Sequence, residues 1–203
     1  MAKGKLIVIE GLDGCGKSTQ AKLLGETLAA AGYSCVVQCE PTTAPTGEFL
    51  RRVLGGEVPA SPAVQAALFA ADRIAHNEQI DALLAAGINV ISDRYYYSSM
   101  AYQGAYADAD WVRRINTDCP YIRKPDLCIF LEAPVEVCLD RIHHGRAATE
   151  IEIFENAESL KKIKRRFDAV FAALPADPIA KIDASGTVAS IQASVRDAVN
   201  RIL

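Results

Sequence analysis

Close to its start the chain passes from an apolar run, Lys5–Glu10, into Gly11-Leu12-Asp13-Gly14-Cys15-Gly16-Lys17-Ser18-Thr19, and then into an amphipathic stretch, Lys17–Ala31, that Gly32 ends. The nine residues fit G-x-x-x-x-G-K-[ST], with a strand expected before them and a helix opening at their end. Glycines let the backbone curl so that successive N–H groups point inward, and the helix start adds partial positive charge. Such a loop is an anion cradle. Lys17 can reach β- and γ-phosphates, and the Ser18 hydroxyl can ligate Mg²⁺. The plain alternative is a glycine-rich turn with a surface lysine. Within the loop, Cys15 lies where the backbone matters more than the side chain, so it reads as a passive occupant rather than a reactive thiol. Asp13 is harder to place, since a carboxylate inside a phosphate cradle repels the ligand. Either it faces away and accepts a hydrogen bond from a hydroxyl of a second substrate, or it faces solvent.

The rest of the chain repeats the alternation of short apolar runs with longer amphipathic ones. Strands are expected at Ser34–Cys39, Asn89–Ser92, Leu127–Leu131 and Ile179–Ile182. Helices are expected at Pro62–Ala86, Pro134–Ile142, Ala157–Ala173 and Val188–Ile202. Continuous apolar strands separated by helices predict an α/β chain with a mostly parallel sheet covered on both faces. At 203 residues, one domain spanning 1–203 accounts for the chain. Ligands of such folds collect beyond the C-terminal ends of the strands.

Composition narrows the partners. With 22 Lys plus Arg against 25 Asp plus Glu, the net charge is −3. That argues against a nucleic-acid binder and leaves room for a small anion held by a few placed cations. No apolar run approaches a membrane span or a signal-peptide core. The six cysteines form no C-x-x-C pair. A cytoplasmic, disulfide-free protein is expected, with no membrane and no nucleic acid as partner.

Phosphate loops serve kinases, GTPase switches and ATP-driven machines. No Asn here is followed by Lys, so the guanine-reading Asn-Lys-x-Asp is absent, and the large ATPases need more chain. A compact kinase for a small phosphorylated acceptor is the class that remains. Arg51, Arg73, Arg94, Arg141 and Arg146 fall near predicted strand ends, where guanidiniums suit the crowding of several phosphates. Taken singly, an arginine at such a position is more often a solvated surface residue. Asp93-Arg94 stands apart, because it directly follows an apolar strand.

The segment Asp93-Arg94-Tyr95-Tyr96-Tyr97-Ser98-Ser99-Met100-Ala101-Tyr102-Gln103-Gly104 resembles the thymidylate kinase family. The phosphate loop, Glu40-Pro41, Leu68-Phe69-Ala70-Ala71-Asp72-Arg73 and Asp183-Ala184-Ser185-Gly186 follow in the family's order, so the resemblance runs from about residue 5 to the C-terminus. It implies a three-layer fold of the P-loop nucleoside-monophosphate-kinase kind, with a five-stranded parallel sheet flanked by helices. It also implies ATP-dependent phosphorylation of dTMP to dTDP, with Mg²⁺, by a homodimer.

Residue by residue, the resemblance gives ATP to Gly11, Leu12, Asp13, Gly14, Cys15, Gly16, Lys17, Ser18 and Thr19, with Arg141. It matches Asp13 to the carboxylate that receives the sugar 3′-hydroxyl, Phe69 to the ring that stacks on thymine, and Arg73 to the base-reading guanidinium. Ser99 and Gln103 face the base edge, and Tyr102 lies under the sugar. Phe69 and Tyr102 also sit at helical positions where they can be core. Arg94 grips the acceptor phosphate. Asp93 stands beside it, near the attacking oxygen and, with Ser18, near Mg²⁺. Family members that lack an arginine after the loop aspartate, here Gly14, place it in a lid, here about 141–152; Arg146 is then catalytic alongside Lys17, Arg94 and Asp93. The residue before Glu40 is Cys39 where relatives often have Arg, which leaves Arg51 to serve the substrate phosphate. A kinase for another nucleotide or deoxynucleoside, and a non-catalytic nucleotide-binding module, are the alternatives.

Overall fold

The apolar run after Lys5 becomes β1, Leu6–Gly11, buried along its whole length at the centre of a sheet. The computed structural model describes residues 3–145 and 157–203. Within them β2 (Cys35–Cys39), β3 (Asn89–Asp93), β4 (Leu127–Glu132) and β5 (Ile179–Asp183) complete a sheet of order β2-β3-β1-β4-β5. All neighbouring strands are parallel. Central strands of such a sheet touch helices on both faces, which is why they are apolar without alternation. The register sets Ile9 opposite both Asp93 and Ile129, and Glu132 opposite Asp183, so the functional loops leave one common edge.

The helices are α1 (Lys17–Ala30), α2 (Pro45–Leu54), α3 (Pro62–Ala85), α4 (Tyr96–Tyr102), α5 (Ala109–Thr117), α6 (Val135–Gly145), α7 (Ala157–Ala173) and α8 (Val188–Val199). One face of the sheet carries α1 and α8, which pack on each other; the other carries α3, α4 and α7. Beneath α7 the rings of Phe130, Phe167 and Phe171 meet at 4.8–5.8 Å between centroids. Burying each such ring contributes roughly 1.5–3 kcal/mol. That cluster fixes α7, and through it α4, against β4 and β1.

The three-layer architecture is the expected one, with differences at the ends of elements. The strand expected to stop at Ser92 runs on through Asp93, placing that carboxylate on the sheet edge itself. The expected helix Pro134–Ile142 is Val135–Gly145, so residues 141–145 of the anticipated lid are helix. The body of this helix packs on the phosphate loop. A Cβ added at Gly14 would stand 2.2 Å from the Cys138 carbonyl oxygen and 2.9 Å from Ile142 Cγ1, so α6 lies directly against the phosphate loop. The remainder of the anticipated lid, Arg146 included, falls outside the described residues. No bounds were expected for three helices, α2, α4 and α5, although Arg51 in α2 and Tyr102 in α4 read at helical positions. In α2, Pro45 opens the helix, Gly47, Leu50 and Val53 are buried at helical spacing, and Gly47 lies against the backbone of Thr42. The other two, α4 and α5, are short; α5 is set by a cap in which Asp108 accepts the Trp111 N–H at 2.7 Å.

Candidate active site

Between β1 and α1 the loop turns through two left-handed glycines, Gly14 (φ 79°) and Gly16 (φ 100°), a conformation that costs other residues about 1–2 kcal/mol. Leu12 and Cys15 send their side chains into the core, and burial pushes the Cys15 thiol up from its ordinary value. The Cys15 side chain is thus a core residue, while its carbonyl accepts from Arg141. The Lys17 ammonium is buried and donates to the carbonyls of Gly11 (3.1 Å) and Leu12 (2.8 Å), with Asp13 3.6 Å away. The cavity in front of the loop measures about 380 Å³. Lys17, Ser18, Thr19, Asp93, Arg94 and Arg141 line it, with Asp13, Gly14 and Gly16. Arg141, from α6, donates to the carbonyls of Cys15 (3.3 Å) and Ala184 (3.1 Å), tying the 183–186 loop to the phosphate loop.

A second, narrower cavity of about 80 Å³ opens between α3 and α4. Its walls include Phe69, Arg73, Arg94, Tyr102 and Gln103, with Asp13, Glu40, Pro41 and Ser98. Arg73 is buried. Glu40 Oε2 accepts from its Nε at 2.8 Å and its Nη2 at 2.6 Å, Asn116 accepts from Nη1, and Ser99 Oγ accepts from Nη2 at 3.1 Å. Such a guanidinium is fixed in plane and charge-compensated at once. Ser99 therefore stands behind Arg73 rather than in the wall. Arg51 is in neither wall: it donates to the carbonyls of Pro41 and Thr42, holding the segment after β2.

The two cavities share Asp13 and Arg94. Asp13 is 4% exposed, which excludes the solvent-facing alternative. Its Oδ1 pairs with Arg94 Nη2, and its Oδ2 accepts from the Tyr102 hydroxyl at 2.9 Å. The Arg94 guanidinium lies 5.2 Å above the Tyr102 ring. Ser18 Oγ donates to Asp93 Oδ2, while Asp93 Oδ1 is buried with no hydrogen-bond partner among the described residues. A hydroxyl and an unsatisfied carboxylate oxygen at the mouth of a phosphate cavity are the donor set of a hard cation that takes its other ligands from phosphates and water. Mg²⁺ fits them. Among the described residues no group of three or more His, Cys, Asp and Glu forms a metal cage. A third cleft, of about 560 Å³, opens beside α1 and reaches Ser18 and Asp93 past Cys39 and His76.

Sequence reasoning did not single out Glu10, Ser98, His76 or Asn116. The nearest signal was a glutamate inside an apolar strand, in Glu10. For Asn116 there was none, because its partner Arg73 lies 43 positions away.

A parallel sheet in this order, with a glycine-rich P-loop and a second cavity meeting at its C-terminal edge, has the architecture of the P-loop phosphotransferases built like nucleoside-monophosphate kinases. The model of the thymidylate kinase family matches residues 9–195. A probable thymidylate kinase of Thermococcus kodakarensis is 43% identical over 160 residues, 73% of this chain and 77% of the relative. A thymidylate kinase of Desulfotalea psychrophila is 36% identical over 202 residues, 98% of this chain and 96% of the relative. The solved structure of the thymidylate kinase from Candida albicans superposes with a TM-score of 0.81 at 26% identity, covering 99% of this chain and 93% of that one. The chain belongs to the thymidylate kinase family.

Proposed function

We propose that this chain phosphorylates dTMP to dTDP at the expense of ATP, with the two cavities as donor and acceptor sites. The observation that carries the reading is their common wall at Asp13 and Arg94, since in-line transfer needs both substrates to meet across one boundary. The loop Gly11–Thr19 takes the ATP phosphates, with Lys17 on the β- and γ-phosphates and Arg141 behind them. Phe69 stacks on thymine, Arg73 and Gln103 read its edge with Ser99 supporting Arg73, and Tyr102 floors the sugar. Asp13 accepts from the 3′-hydroxyl, and Arg94 grips the acceptor phosphate.

That phosphate is already ionised, so the protein supplies position and charge rather than a base. Mg²⁺, held by Ser18 and Asp93, would neutralise charge on the transferring group. Arg146 is proposed as the lid arginine, with Arg146→Ala lowering kcat far more than it raises the KM for dTMP. The segment held by Arg51 borders the acceptor cavity through Pro41, which is the part left to that residue.

Two coarser features complete the proposal. Among the described residues no helix is long and apolar enough to cross a membrane, and all six cysteines are free thiols, which suits action in the cytoplasm. Phe49 on α2 and Val64 on α3 are exposed apolar residues, and we place a homodimer contact on that side. A coupled assay across dTMP, dUMP, dCMP, dGMP and thymidine tests the substrate. Turnover is expected with dTMP, and preference for unphosphorylated thymidine would overturn the assignment.

A further inference from the structure

Glu10 closes the apolar run of β1, and no step above uses it. Its side chain is 0% exposed. A carboxylate so placed is costly unless hydrogen bonds replace its water. All three that do so come from the start of α4: Oε1 accepts from the amides of Tyr95 (2.8 Å) and Ser98 (3.1 Å), and Oε2 accepts from the Ser98 hydroxyl (2.6 Å). This is a helix cap supplied by a neighbouring strand. Tyr95, at the cap position of α4, makes no side-chain bond to the helix; its hydroxyl lies 2.8 Å from both Asn77 Oδ1 and the Arg123 carbonyl oxygen, sharing its one proton between them.

Between β3 and this capped helix stands Arg94, in the left-handed region at φ 72°. A branched or long side chain rarely holds that conformation unless its surroundings impose it. The imposition is visible on both sides. The Arg94 amide donates to the Ile9 carbonyl (3.0 Å), its carbonyl accepts from Ser92 Oγ (2.7 Å), and the next amide is the one Glu10 holds. Ser98 links the side chains as well, because Arg94 Nη1 donates to Ser98 Oγ at 3.3 Å. A hydroxyl has one proton. With Glu10 accepting that proton, Ser98 turns its lone pairs to Arg94.

We propose that Glu10 is a positioning residue for Arg94: by capping α4 and setting the polarity of the Ser98 hydroxyl, it aims the guanidinium at the boundary between the two cavities. This rests on the reading of Arg94 as the group that holds the acceptor phosphate. Glu10 itself touches no substrate.

The test compares dissociation constants of dTMP and thymidine, by titration calorimetry on the full chain, because the two ligands differ only in the phosphate. Glu10→Gln keeps an acceptor oxygen for the two amides but presents a donor to Ser98, reversing its hydroxyl. The expected result is about a tenfold loss of dTMP affinity with thymidine affinity unchanged. Ser98→Ala should lose dTMP affinity in the same way, and adding Glu10→Gln to it should cost nothing further. A merely structural role weakens both ligands together and overturns the proposal, as does an unchanged dTMP-to-thymidine ratio in either variant. Should Glu10→Gln fail to fold, Ser98→Ala decides on the same ratio. Arg94→Ala separates the two readings. An unchanged ratio there overturns the role of Arg94 and this proposal with it. A changed ratio there beside an unchanged one in Glu10→Gln overturns this proposal alone.

Discussion

Arg94 and Asp13, 81 residues apart in sequence, form an ion pair in the wall common to the two cavities. Burial is the strongest single influence and works against the guanidinium charge, but Asp13, Tyr102, Asp93 and Glu10 together outweigh it and hold Arg94 well above its ordinary value. A permanent cation therefore stands at the boundary across which the proposed function brings the donor and acceptor phosphates together. The same pair resolves why an acid occupies the phosphate loop. Asp13 is compensated on both sides of that wall: its Oδ1 pairs with Arg94 and lies 3.6 Å from the Lys17 ammonium, and its Oδ2 accepts from Tyr102.

If Asp13 also receives the sugar 3′-hydroxyl, its loss must be felt through that hydroxyl. Asp13→Ala is expected to lower kcat/KM for dTMP by about 10- to 100-fold, as for a buried charge-assisted contact. The loss should be clearly smaller with a 3′-deoxy analogue of dTMP, which has no hydroxyl to forfeit. Steady-state kinetics on both substrates measure the difference. Equal losses would assign Asp13 to Arg94 alone.

Glu40 and Arg73 pose a question of stability. Both are essentially buried, at 2% and 1% side-chain exposure, and Glu40 Oε2 bridges two guanidinium nitrogens. Glu40→Ala leaves an unpaired buried cation and should destabilise the fold by about 3–5 kcal/mol, which for a chain of this size lowers Tm by about 10 °C. Replacing both residues by Met should recover much of that stability while still abolishing thymine recognition. Calorimetric melting and dTMP titration on the two variants separate packing from recognition.

What the sequence made legible follows from range. The phosphate loop is local, so Gly14, Gly16 and Lys17 could be read from one nine-residue segment, and the apolar runs gave the sheet. Asp93 and Arg94 were readable because they end a strand. The wall they form with Asp13 was not, because it depends on β1 and β3 lying side by side. Asn116 was invisible for the same reason, and Glu10 showed only as an acid in an apolar strand: their partners lie 43 and 85 or more positions away. The short helices α2, α4 and α5 were left without bounds because 10, 7 and 9 residues give too few turns for apolar spacing to fix where a helix starts and stops.

Gly14 occupies the position where a side chain would meet α6. At φ 79°, with the Cys138 carbonyl 2.2 Å from any added Cβ, a substitution both strains the backbone and pushes α6 outward. Gly14→Arg, which would place an arginine in the loop itself, is expected to destabilise by roughly 3 kcal/mol or more and to lose activity rather than gain it. Denaturant unfolding and steady-state rates check both. A stable, active variant would show that α6 can retreat.

Glu10 makes the stability of the chain depend on pH in a direction unusual for an acid. Burial pushes its carboxyl from an ordinary 4.5 to about 7, although Ser98, Arg94 and the Tyr95 and Ser98 amides pull the other way. Cys128, facing it from β4, is itself held high by burial and by Glu10. The unfolded chain releases this proton near pH 4.5 and the folded chain near pH 7, so in between the folded state binds more protons. The contribution is therefore fully present below pH 4.5 and is lost as pH rises through 7, a change of about 3 kcal/mol. In Glu10→Gln that slope should vanish, so the stability of the variant relative to the original chain should rise between pH 4.5 and 8. Urea unfolding across that range measures it. A constant difference would mean that the three hydrogen bonds from α4 satisfy the carboxylate completely, leaving burial without effect on its ionisation.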